Sequence, residues 1–176
     1  MQDLKDKFCL AHTLDGLAQV EDREGSYEQA AFFARQALKL CEQLGSKPRI
    51  AHAQCTLGLT FLNTDLAEAE RWLKSSLQIR IALQNKTDIA DSLEALAKLN
   101  SLSGDSERAI KLFAVAGVLR AAISFPKTRA ESLASERDQN GLRVEVGMDA
   151  FSAAWHEGRA LGWEQAIKLA LAEKTS

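Results

Sequence analysis

The sequence predicts an all-α fold, a stack of helix–turn–helix repeats with about nine helices. Three observations predict it. Alanine and leucine dominate the apolar residues and β-branched residues are sparse, which suits closely packed helices and argues against a sheet. Only 2 prolines and 10 glycines occur in 176 residues, so long stretches carry no helix breaker. A motif also recurs three times. It opens at Leu17-Ala18, Leu57-Gly58 and Leu96-Ala97 and closes at Ala30, Ala69 and Ala109, so both ends repeat at intervals of 39 or 40 residues. The chain reads as one domain over 1–176, with repeats near 3–45, 48–84 and 87–124 and capping helices near 126–174.

Each element has a local reason. Leu4, Phe8 and Ala11 stand at amphipathic spacing in the first helix, which reads as a surface cut from a longer stack. A small residue (Ala18, Gly58 or Ala97) follows each opening leucine, where the first helix of a repeat must approach its neighbour closely. Gly25, Thr64 and Gly104 open the turns. Ser26 with Gln29 and Asp65 with Glu68 have capping-box spacing, and Asp105 is an N-cap candidate. The second helices carry packing stripes at Ala30, Ala34 and Ala37, at Ala69, Leu73 and Ser76, and at Ala109, Phe113 and Ala116. The connectors Leu44-Gly45-Ser46-Lys47-Pro48 and Leu83-Gln84-Asn85-Lys86-Thr87 separate the repeats. Pro126 reads as a first-turn proline before a charged helix ending near Val146, and two further helices follow. Phe32, Phe33, Phe61, Trp72, Phe113, Phe151 and Trp155 read mostly as core residues, and Trp163 as a partly exposed one.

These residues resemble the tetratricopeptide repeat (TPR) over roughly 11–120, with a period longer than the usual length of about 34 residues. The C-terminal string from Ala150-Phe151 through Trp155, Gly158-Arg159-Ala160-Leu161 and Gln165-Ala166 to Leu171 is similar to the closing segment of the helical sensor region of LuxR-type and related large signalling ATPases. Gly162-Trp163 departs from that family, which usually places a hydroxyl-bearing cap there. The resemblance implies a right-handed superhelical stack. It also implies a non-catalytic module for protein–protein interaction or effector sensing, from the C-terminal part of a bacterial signal-transduction or transcription regulator or from a relative of one.

Charge and motifs exclude several other classes. The net charge is −2, with both signs interspersed, so no basic cluster marks direct nucleic-acid binding. No apolar run approaches the ~20 residues of a membrane span. The charged N-terminus is unlike a signal peptide, and the three cysteines (Cys9, Cys41 and Cys55) lack Cys-x-x-Cys spacing, which together read as reduced, buried thiols in a cytoplasmic protein. There is no phosphate loop, nucleophile elbow or two-histidine zinc helix. The chain therefore reads as no enzyme, and no cofactor or metal is expected.

Register places the polar residues of the first helices on an inner wall. His12, Asp15, Gln19 and Asp22 fall on the first, His52, Cys55, Leu59 and Leu62 on the second, and Asp91, Glu94 and Lys98 on the third. A metal site drawn from His12, His52 and Asp91 is outweighed by geometry, because packed helices lie about 8–10 Å apart while zinc ligands converge near 2 Å from one point. The wall reads instead as a partner-binding groove for a protein, a peptide or a small effector. Its carboxylates outnumber its one lysine, which favours a basic partner. The alternative is a structural self-association module forming a homodimer.

Overall fold

The computed structural model describes residues 2–123 and 126–173, with the side chains of 2–4 left aside. Leu4, counted above toward the first amphipathic face, therefore lies outside the described side chains. The described residues form an all-α protein of nine helices without a strand: α1 (Gln2–Arg23), α2 (Tyr27–Gln43), α3 (Lys47–Phe61), α4 (Leu66–Ala82), α5 (Lys86–Leu102), α6 (Ser106–Ile123), α7 (Arg129–Val146), α8 (Met148–Ala160) and α9 (Trp163–Leu171). They gather into two compact units, one ending at Gln84 and one beginning at Asn85. Among the described residues, no helix is long and apolar enough to cross a membrane.

The first unit is built from two helical hairpins, α1–α2 and α3–α4, with α2 packed on α3 and α1 touching α3. Its core runs through Ala11, Ala18, Ala31, Ala34, Leu38, Cys41, Ala53 and Leu57, with Phe33, Phe61 and Trp72 against its edge. The small residues are what let the backbones close. A methyl group at Gly58 would lie 2.7 Å from Leu73 Cγ and 3.2 Å from the Leu73 nitrogen, so glycine there lets α3 and α4 approach without displacing Leu73. Ser76, inside the same contact, donates its hydroxyl to the Ala51 carbonyl at 2.6 Å and satisfies its own buried polar group. Pro48 sits in the first turn of α3, where its missing N–H costs nothing. Asp65 caps α4, accepting from the backbone N–H groups of Ala67 and Glu68 at 3.0 Å.

In the second unit α6 is the central helix, packed on α5, α7, α8 and α9. Five consecutive positions, Leu112 to Ala116, explain this role: with Ala109 and Ile110 just before Lys111, they are buried all the way round the helix. At Gly158 a methyl group would meet the backbone of Lys111 at 2.7 Å and Ala114 Cβ at 2.9 Å, so α8 lies directly against the α6 backbone. Buried Arg108 donates to the carbonyls of Leu169 and Ala172, both at 2.6 Å. It thereby closes the C-terminal end of α9, whose last carbonyls have no helical partner.

The stripe residues Ala30, Ala34, Ala37, Ala69, Leu73, Ser76, Ala109, Phe113 and Ala116 are all buried. Three expectations need correction. Thr128 is the N-cap of α7, forming a reciprocal capping box with Glu131, so Pro126 precedes the helix and is not in its first turn. Phe32 is 51% exposed, because it points away from the Ala30–Ala34–Ala37 stripe. Cys9 is exposed while Cys41 and Cys55 are buried, because Cys9 lies opposite the Ala11–Ala18 face of α1.

Candidate partner-binding face

In the first unit three of the proposed wall residues meet: Gln19 and His52 converge on the buried carboxylate of Asp15. Asp15 on α1 is 5% exposed. Its Oδ2 accepts from Gln19 Nε2 at 2.9 Å, one helical turn away, and from His52 Nε2 on α3, also at 2.9 Å. Burial alone would raise the Asp15 carboxyl. The hydrogen bond and charge of His52, with further hydrogen bonds from Thr56 and Gln19, outweigh it and hold the carboxyl below its ordinary value. The ion pair fixes α1 against α3 while leaving the imidazole at the surface, where the His52 side chain is 59% exposed.

His12 and Gln19 are exposed on α1, Leu59 is half-buried on α3, and Cys55 is buried. Asp22 is partly buried and Leu62 half-buried. Burial lifts the Asp22 carboxyl above its usual value, with the charge of Arg23 pulling against it. Sequence reasoning missed Phe8 and Arg49, although Arg49 stands one turn before His52 on α3. The Arg49 guanidinium lies 3.2 Å from the centre of the half-exposed Phe8 ring, a second α1–α3 link with cation–π character. Burial pushes the Cys41 thiol up, with the charge of Arg49 pulling against it and those of Asp15 and Glu42 adding to the rise.

In the second unit the equivalent residues are taken up internally. Arg120 on α6 donates to Glu94 Oε1 at 2.9 Å and binds Asp91 Oδ1, and Lys127 reaches the other Glu94 oxygen at 2.8 Å. The charges of Glu94 and Asp91 raise Arg120 despite its burial. Lys98 pairs with Asp138 on α7 at 3.1 Å. The expectation of a surplus of carboxylates along the wall therefore needs correction. Asp15 is buried and hydrogen-bonded to His52 and Gln19, and Asp91 and Glu94 are paired with Arg120 and Lys127. Nothing in the repeat pattern signals Lys127 or Asp138, since both lie beyond the third repeat.

Among the described residues, no three His, Cys, Asp or Glu side chains are grouped to hold a metal ion. His52 and Asp15 form a dyad that orients an imidazole, with Gln19 and Thr56 also hydrogen-bonded to the carboxylate. The chain matches no protein-family model and no curated protein.

Proposed function

We propose that this chain is a non-catalytic interaction or effector-sensing module, and that it receives a protein or peptide on the α1–α3 face of its first unit. One observation carries the reading. His12, Gln19 and His52 stand exposed across two helices on a foundation held by buried Asp15. A face whose polar groups are pre-positioned and still open to solvent loses little conformational freedom on binding. The tetratricopeptide-like repeat spacing and the C-terminal string support placing the module at the end of a bacterial signal-transduction or transcription regulator, or in a relative of one.

Histidine, arginine and amide groups outnumber exposed acids on this face, so an acidic or hydrogen-bond-accepting partner suits it better than the basic one the wall residues alone suggest. The test is comparative capture from the source cells, using wild type, a His12→Ala/Gln19→Ala variant and a Lys98→Ala variant. Proteins retained by wild type and Lys98→Ala but lost by the double variant support the reading. Identical capture by all three removes the α1–α3 face as the binding surface.

A second reading, self-association, has its own observation. Leu10, Leu17 and Val20 are exposed along one side of α1, away from the Asp15 face. Sedimentation equilibrium decides it: a dimer dissociated by Leu17→Lys supports this reading, and a monomer at all concentrations removes it.

A further inference from the structure

A second surface lies in the other unit, independent of the α1–α3 face. Helices α6 and α8 touch at Gly158, whose missing side chain lets α8 rest on the Lys111 backbone. Toward the N-terminal ends of both helices the contact opens into a cleft of about 410 Å³, lined by Glu107 and Ile110 of α6, Val146 of α7, and Ala150, Ala153, Ala154 and Glu157 of α8. The volume is within the range of about 300–1,000 Å³ typical of ligand sites. The space exists because α8 presents alanines along this side, where larger residues would have filled it. Ser106 Oγ, donating to Glu145 at 2.6 Å, ties the start of α6 to the end of α7 beside it.

The rim supplies the chemistry. Lys111 bridges Glu107 and Glu157, reaching the latter at 2.7 Å. Those two hydrogen bonds, Glu107 first, hold the ammonium above its ordinary pKa against partial burial. Two carboxylates share one ammonium, so the rim keeps a surplus negative charge. Each carboxylate uses one oxygen on Lys111, and the side chains are 70% and 63% exposed, so the second oxygen of each faces water. Charge complementarity therefore specifies the occupant.

We propose that this cleft docks a basic amphipathic helix of a protein partner. A large apolar side chain of that helix fills the space over Ile110, Val146 and Ala153, and a neighbouring lysine or arginine takes the outward oxygens of Glu107 and Glu157. A purely apolar occupant would leave the rim carboxylates unused, and an acidic helix would be repelled by them.

The test uses the full chain and a fluorescein-labelled 14-residue helical peptide with leucines on one face and lysines on the other, beside a counterpart carrying glutamate for lysine. Fluorescence anisotropy should show saturable binding of the lysine peptide and none of the glutamate peptide. Ala153 is exposed, so Ala153→Leu fills the cleft without disturbing the core and should weaken binding by about tenfold, equivalent to about 1.4 kcal/mol. Glu107→Gln/Glu157→Gln should weaken it at least as much. If the lysine peptide binds Ala153→Leu and the double glutamine variant as tightly as wild type, its attachment is diffuse and the proposal fails. Amide chemical-shift mapping on wild type guards against misfolded variants. Shifts centred on residues 107–111 and 146–157 support the site, and shifts confined to α1 and α3 overturn it. A cleft closed by a second copy would appear as a dimer that Ala153→Leu dissociates and the peptide cannot displace, and that also overturns the proposal.

Discussion

The two units solve the same packing problem and then treat their polar surfaces differently. Both let helices cross at a glycine, Gly58 in the first and Gly158 in the second, and both bury an alanine stripe between paired helices. In the first unit the inner-wall acid, Asp15, is buried and its partner His52 remains at the surface. In the second, the wall acids Asp91 and Glu94 are bound by Arg120 and Lys127, and Lys98 by Asp138. One unit leaves polar side chains of its wall exposed, and the other uses its wall to hold its own later segments. Repeats that look equivalent by sequence position thus differ in what remains for a partner.

The largest effect should come at the glycine crossings. Gly158→Ala sets its new methyl against the Lys111 backbone, which cannot rotate away, and should destabilise by about 3 kcal/mol. Gly58→Ala meets mainly the buried side chain of Leu73, at Cγ and Cδ2, which can shift more readily than backbone, and should cost about 1–2 kcal/mol. Chemical denaturation of both variants checks the order. Equal costs would mean that the two crossings yield alike and that the comparison is too sharply drawn.

Removing Arg108 comes next. Arg108→Met keeps most of the packing volume but leaves the Leu169 and Ala172 carbonyls without their charged donor. Hydrogen bonds to charged groups contribute about 1.5–3 kcal/mol, so the loss should be near 2 kcal/mol, with faster amide exchange in α9 before any other helix. Unchanged protection of α9 would show that its apolar contacts, at buried Ala166 and Ala170, suffice.

The Asp15–His52 pair makes the first unit sensitive to acid. The folded carboxyl titrates below its unfolded value, so its stabilisation is present in full above the ordinary carboxylate range and is lost as pH falls through the lowered folded value. Asp15→Asn should therefore destabilise by about 1–3 kcal/mol at neutral pH and converge with wild type in strong acid. Asp22 works the other way. Its raised carboxyl contributes stability at low pH that is lost as pH rises through the folded value, so Asp22→Asn should gain slightly on wild type at neutral pH. Parallel stability–pH curves for wild type and Asp15→Asn would contradict the pair's role.

The smallest effect concerns Gln84. It takes a positive φ of 54° at a helix end where Gly25, Gly45 and Gly104 serve elsewhere. A left-handed conformation costs a non-glycine residue about 1–2 kcal/mol, partly offset by the greater unfolded freedom of glycine, so Gln84→Gly should stabilise by about 0.5 kcal/mol. A lower melting temperature would mean that the Gln84 side chain contributes more than its strain costs.

The helices and their packing stripes were legible in the sequence because period and residue size carry them directly. Gly58 announced its close contact by following Leu57 in the repeat. The fate of the wall residues was not legible. Register gives the side of a helix on which Asp15 or Glu94 stands, but not whether a distant His52, Arg120 or Lys127 reaches it. Asp15 read as a groove-lining acid and is instead a buried anchor, so changing it to alanine is expected to cost folding stability as well as any binding. The cleft beside Ala153 was invisible for a related reason, since an alanine stripe reads as packing whether or not a helix lies on it.

Under the proposed function, partner recognition belongs to the α1–α3 face and not to the wall of the second unit. The most direct test places a photoreactive benzophenone amino acid at His12 in one protein and at Lys98 in another, followed by irradiation in the source cells. A discrete cross-linked partner from position 12, absent from position 98, is the expected result. The same adduct from position 98 and none from position 12 would contradict the account.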